Sequence, residues 1–189
     1  MSRDIAFLVA LALAAIVAVE SHETFAESSA FDGEGACIAL PVVTSPDQHY
    51  VVSDASGYEA GVCNHALSLW NRDSGRTLAL SSYPGAVSVL WSPESRAIAI
   101  NNHIGSNVSE CAVFSLDTMK MAGPSVAVID RIGIKQWKGG EVDRSYCRLE
   151  SWLTADTLLV HVWGEGDGRK WDAKARYSID GHIVMLPVR

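Results

Sequence analysis

One pattern returns three times along this chain, and it limits the fold more than any other feature. Ser45-Pro46-Asp47, a strand-like run from Tyr50, a glycine-bearing loop and Leu67-Ser68-Leu69 leading into Asp73-Ser74-Gly75 make the first copy. Shifted by 47 residues come Ser92-Pro93-Glu94, a strand-like run from Ala97, the loop Gly105-Ser106-Asn107 and Phe114-Ser115-Leu116-Asp117. A more diverged third copy has Thr154-Ala155-Asp156, a run from Leu158, the loop Gly164-Glu165-Gly166-Asp167-Gly168 and Tyr177-Ser178-Ile179-Asp180-Gly181. A period in the forties leaves room for about four short strands per copy. A single such unit cannot bury its apolar face alone, so the copies must pack on one another.

The apolar runs are short and alternate with small or polar residues, as in Ala66-Leu67-Ser68-Leu69-Trp70 and Ala112-Val113-Phe114-Ser115-Leu116. That period of two gives a strand one buried face, and the Asp-Ser-Gly, Ser-Pro and Asp-Gly clusters between runs supply turn chemistry. The predicted class is all-β, with copies at about 36–82, 87–123 and 148–189 in one domain spanning 27–189. The insert at 124–147 is longer than a linker. Val126, Ile129, Ile132 and Trp137 share one side of a short helix predicted near 126–138, with Pro124 in its first turn and Lys138-Gly139-Gly140 ending it.

Residues 1–26 read as a signal peptide: Arg3 near the start, an apolar run over 5–19, and Thr24-Phe25-Ala26 before a cut after Ala26. Fifteen apolar residues are too few for the ~20 that span a bilayer as a helix. Cleavage takes the formal charge from -7 to -5, so partners are expected to be neutral or cationic, and neither nucleic acid nor an acidic membrane surface is favoured. All four cysteines, Cys37, Cys63, Cys111 and Cys147, follow the cut, which fits two disulfides in a secreted or periplasmic protein. Three pairings exist. Cys37 with Cys63 and Cys111 with Cys147 is the one expected, because each then closes a loop within one repeat. No CxxC or Cys-His spacing suggests a metal site, and no cofactor is expected.

Trp91-Ser92-Pro93-Glu94-Ser95 followed by Ala97-Ile98-Ala99-Ile100, together with Phe114-Ser115-Leu116-Asp117, resembles the WD40-like repeat of TolB and prolyl-oligopeptidase β-propellers. The resemblance implies four-stranded antiparallel blades and names no activity. The first and third copies lack the Trp directly before the turn. Three blades are fewer than the four to eight that close a propeller, so an incomplete propeller or a compact sandwich is expected. Its open sides would be covered by a second copy or by the insert.

Candidate binding residues fall in two loops. Asn101, Asn102, His103, Ser106 and Asn107 form a polar stretch after an apolar strand, with amides and an imidazole suited to hydrogen-bonding a ligand. Glu165 and Asp167 lie in a Gly-rich acidic hairpin tip bracketed by Trp163 and Trp171, which with Trp137 and Trp152 read either as core and cross-strand packing or as an aromatic platform for a sugar or peptide. The tip lacks the ligand spacing of a calcium loop. No HExxH or GxSxG is present. The expected function is a non-catalytic module binding a protein or envelope component, periplasmic if the TolB-like resemblance guides the host. The alternatives are a small hydrolase using His103 with loop carboxylates, and a structural homo-oligomer.

Overall fold

The computed structural model describes residues 25–27, 37–59, 61–105, 107–132, 142–166 and 169–187. The predicted leader, Ser106, Trp137 and Asp167 lie outside these described residues, apart from the short segment 25–27. Phe25–Glu27 is strand β1. The first sheet holds β2 (Val43–Thr44), β3 (Tyr50–Asp54), β4 (Gly57–Glu59), β5 (Val62–Asn71) and β6 (Thr77–Pro84). Strands β3 and β4 pair with successive parts of one side of β5, and β6 pairs with the other, so this sheet is four strands wide. The second sheet is the meander β7 (Ala86–Trp91), β8 (Ala97–His103), β9 (Ser109–Ser115) and β10 (Lys120–Ala122), with β1 added beside β7. After helix α1 (Pro124–Arg131), the third sheet is the meander β11 (Val142–Trp152), β12 (Thr157–Gly166), β13 (Arg169–Ser178) and β14 (Ile183–Met185). The protein is all-β: three antiparallel sheets, each built on four strands' width and not closed into a barrel.

The sheets stack face to face. In β5, buried Cys63, His65, Leu67 and Leu69 alternate with Ala66, Ser68 and Trp70 on the outer side. Strands β7 and β8 are buried on both faces, which is why they read as nearly continuous apolar runs. Ile98 and Ile100 face the first sheet, packing with Leu67, Leu69, Val89 and Trp91. Ala97 and Ala99 face the third, where small side chains leave room for Leu149, Val160 and Val162. The middle sheet is thus clad on both sides, and among the described residues nothing packs over the outer face of either flanking sheet.

The repeated motifs occupy the same place in each sheet. Ser45-Pro46-Asp47 joins β2 to β3, Ser92-Pro93-Glu94 joins β7 to β8, and Thr154-Ala155-Asp156 joins β11 to β12. The first two turns match bond for bond. Ser45 N–H donates to the Tyr50 carbonyl and Ser92 N–H to that of Ala97, while the Tyr50 and Ala97 amides donate to the Ser45 and Ser92 hydroxyls. Gln48 and Ser95, at equivalent positions, both adopt positive φ, 65° and 58°. The third turn is tighter, closing from Leu153 N–H to the Thr157 carbonyl. Links run from turn to turn: Asp47 N–H donates to Ser95 Oγ, and Arg96 reaches both Asp117 and Asp156. The Asp117 contact raises the Arg96 pKa further, aided by the charge of Asp156. Burial opposes ionisation of Asp47, yet hydrogen bonds from Ser45, the His49 amide and Ser95 hold its pKa below the ordinary value.

Three expectations need correction in detail, and the place of a fourth can be given. The disulfides are Cys37–Cys63 and Cys111–Cys147, with Cα atoms 5.5 and 5.6 Å apart, as expected. The second does not stay within one repeat, because Cys111 on β9 and Cys147 on β11 tie the middle sheet to the third. The stretch 142–147, assigned to the insert, is the first half of β11, and its alternation was masked by Ser145, a polar residue buried on the inner face. The helix begins at Pro124 and buries Pro124, Val128 and Ile129, leaving Val126 exposed. Eight residues give it only two turns, so the stripe that packs is i, i+4, i+5. Residues 133–140 lie outside those described. The expected cut after Ala26 falls within β1, where Ala26 pairs with Val89 and is buried.

Candidate functional site

The polar stretch after β8 is structural at its start. Asn101 is buried, its Oδ1 accepting from Leu149 N–H at 2.7 Å and its Nδ2 donating to the Leu149 carbonyl at 3.1 Å. Ser109 serves Cys147 in the same manner, accepting from its N–H at 3.0 Å and donating to its carbonyl at 3.1 Å. The Asn107 carbonyl accepts from Ser145 N–H. Side chains and backbone of the middle sheet therefore satisfy the free edge of β11 at every second residue, as a neighbouring strand would. Asn102 is also buried, and its Oδ1 has no partner among the described residues. His103 is half-buried at the strand end and pairs with no carboxylate among the described residues. The loop thus supplies an inter-sheet seam, and no described carboxylate makes the pair with His103 that a hydrolase would need.

The structure brings polar and aromatic groups together elsewhere, on the outer face of the third sheet. Register sets Tyr146 opposite Trp163 and Trp163 opposite Asp172, so strand alternation projects all three from this face. The Tyr146 and Trp163 rings stack, with centroids 5.2 Å apart and planes 16° from parallel. His161, two residues before Trp163, packs its imidazole 4.5 Å from that indole. Its Nε2 lies 2.9 Å from Asp172 Oδ1 and its Nδ1 3.4 Å from Glu150 Oε1. Lys174 donates to both Glu150 oxygens, at 2.7 and 2.9 Å. Toward the hairpin tip, Arg144, Glu165 and Lys170 extend the charged frame. A shallow groove of about 460 Å³ runs beside Tyr146, Trp163, Glu165 and Asp172.

Trp163 and Trp171 both line this groove, but the register projects them from opposite faces of the sheet, so the two rings do not stack on one another. Trp171 pairs with Gly164 on the opposite face, and a Cβ on Gly164 would strike the Trp171 ring and the Arg144 carbonyl, so glycine lets the indole lie across the strand. Trp152 is a core residue whose Nε1 donates to the Leu90 carbonyl. Sequence reading missed Tyr146, Glu150 and His161 as site residues. The available signal was period-two spacing within β11, β12 and β13, but aligning those strands needs their register.

A second depression of about 520 Å³ lies between β9, β10 and α1, lined by Ala112, Met121, Ala122 and Val126. It is chiefly apolar. No group of three His, Cys, Asp or Glu among the described residues is placed to hold a metal ion. No helix among them is long and apolar enough to cross a membrane. No protein-family model matches the chain, and no curated protein matches it.

Proposed function

We propose that this protein is a non-catalytic protein-interaction module of the secreted or periplasmic space, taking its partner on the outer face of the third sheet. One observation carries the reading: no described element packs over that face, which holds a stacked Tyr146–Trp163 pair and His161 inside a frame of paired charges. Aromatic and arginine side chains in such a setting are typical anchors of protein interfaces, and Tyr146 and Trp163 turn ring faces toward one another in their stack. The two disulfides support an oxidising compartment. The propeller-like reading supports a role for surfaces over a buried reaction centre.

The test is site-specific photo-cross-linking in envelope extract, with the photoreactive residue at Arg148 or Lys174 and a control at Ala66 on the outer face of the first sheet. The expected result is a partner adduct at 148 and 174, absent at 66 and lost when Trp163→Ala is added to a folded protein. Adducts at 66 instead, or none from the third sheet, overturn the proposal. A second reading, hydrolysis, is favoured only by His161, held between Asp172 and Glu150 in a position to move a proton. It predicts hydrolysis of peptide or glycan substrates that disappears in His161→Ala; an inert wild type discards it.

A further inference from the structure

Every outer strand of the three sheets presents a row of backbone N–H and C=O groups ready to pair, and this chain disposes of nearly all of them. Strands β2, β4, β10 and β14 are two or three residues long. The edge of β7 is occupied by β1. The edge of β11 is satisfied at 145, 147 and 149 by Asn107, Ser109 and Asn101. Two stretches are left: the first half of β13, which β14 does not reach and which carries Lys170, Asp172 and Lys174, and the whole of β6. Strand β6 runs for eight residues, Thr77–Pro84, and pairs only with β5 among the described residues. It carries no charge and no proline before its last residue.

Exposure confirms how open this strand is. Thr77, Leu78, Ala79, Ser81 and Ser82 are all exposed, on both faces of the strand. The bonds that pin its pairing to β5 sit at Asn71 N–H to the Arg76 carbonyl and Gly85 N–H to the Cys63 carbonyl. Counting inward by alternation, with Leu80 bulged opposite the Leu67/Ser68 step, turns the backbone groups of Thr77 and Ser82 away from β5.

We propose that β6 is a self-association edge, pairing antiparallel with β6 of a second copy across a two-fold axis. A second copy fits because each brings the same uncharged strand, so self-pairing opposes no like charges, and an isologous contact closes after two subunits. An unrelated partner would find no charged or shaped determinant on this edge to select it. The proposal goes beyond the partner-binding reading above and does not depend on it.

The experiment is sedimentation equilibrium of the oxidised protein from about 2 to about 200 µM, where mass action separates monomer from dimer. Wild type is expected to shift from monomer toward dimer across that range. Ala79→Lys/Ser81→Lys, two exposed positions that put like charges face to face across the axis, is expected to weaken the dimer at least about tenfold. Met121→Lys on the short β10 is expected to leave it unchanged. A wild type that stays monomeric throughout, or a dimer that survives the double lysine variant, overturns the proposal. Hydrogen exchange of wild type gives a readout needing no variant: the Thr77 and Ser82 amides should exchange more slowly at the higher concentration. Rates independent of concentration count against it.

Discussion

Replacing Asn101 by alanine tests whether the polar stretch after β8 holds sheets together or holds a ligand. The wild-type amide makes two hydrogen bonds to Leu149 in a buried seam, and their directions fix which end is oxygen and which nitrogen. A typical internal hydrogen bond contributes about 0.5–1.5 kcal/mol net, but a buried backbone group left without a partner costs about 1–3 kcal/mol. Alanine would leave both the N–H and the carbonyl of Leu149 in that state, with some solvent entering to relieve it, so the expected loss is about 3 kcal/mol. For a domain of this size that corresponds to a fall in Tm of about 6–12 °C. Asn101→Asp should do no better, since a carboxylate has nothing to donate to the Leu149 carbonyl. The assay is guanidinium unfolding of the oxidised protein followed by tryptophan fluorescence. A variant within about 0.5 kcal/mol of wild type, the usual range for a surface change, would refute the seam and return Asn101 to the candidate ligand residues.

Further outcomes follow from other contacts. Gly164→Ala should displace the Trp171 indole, shifting tryptophan emission and lowering stability by about 1–3 kcal/mol; an unchanged spectrum contradicts the packing described. Replacing Cys111 and Cys147 together by alanine opens a link across 36 residues, worth about 4 kcal/mol in the chain-entropy treatment, and denaturant titration should show a loss of that order. Asp47 has a depressed pKa in the folded state, so its contribution is complete above the ordinary carboxylate range near 3.9 and fades as pH falls through the folded value. Asp47→Asn should therefore differ most from wild type at neutral pH, and the two stability curves should converge in acid. A gap that widens below about pH 4 contradicts this sign.

Much of the architecture is written locally. Ser45 and Ser92 each supply a hydroxyl to the amide five residues on, so a Ser-Pro-acid turn followed by a strand is visible without any long-range knowledge. The alternation in β5 and the double burial of β7 and β8 are likewise legible, because both are consequences of strand geometry. What is lost is anything depending on which sheet lies against which. Asn101 reads from sequence as a ligand-binding group and Ser109 gives no such signal; their partners at Leu149 and Cys147 are 48 and 38 residues away. The Tyr146, His161, Trp163 and Asp172 cluster was hidden for the same reason, being assembled from three strands whose register no single strand reveals.

Strand β1 ties residues 25–27 into the middle sheet. Ala26 is zipped to Val89 and sits within the apolar interior, so a peptidase aiming between Ala26 and Glu27 meets a substrate that the finished fold withholds. If that bond is cut, the cut has to come before the middle layer closes, and it takes away the residues flanking Val89 and Leu90 while Glu27, opposite Ser88, stays with the chain. A chain that folds with residues 25–27 in place keeps the bond out of a peptidase's reach.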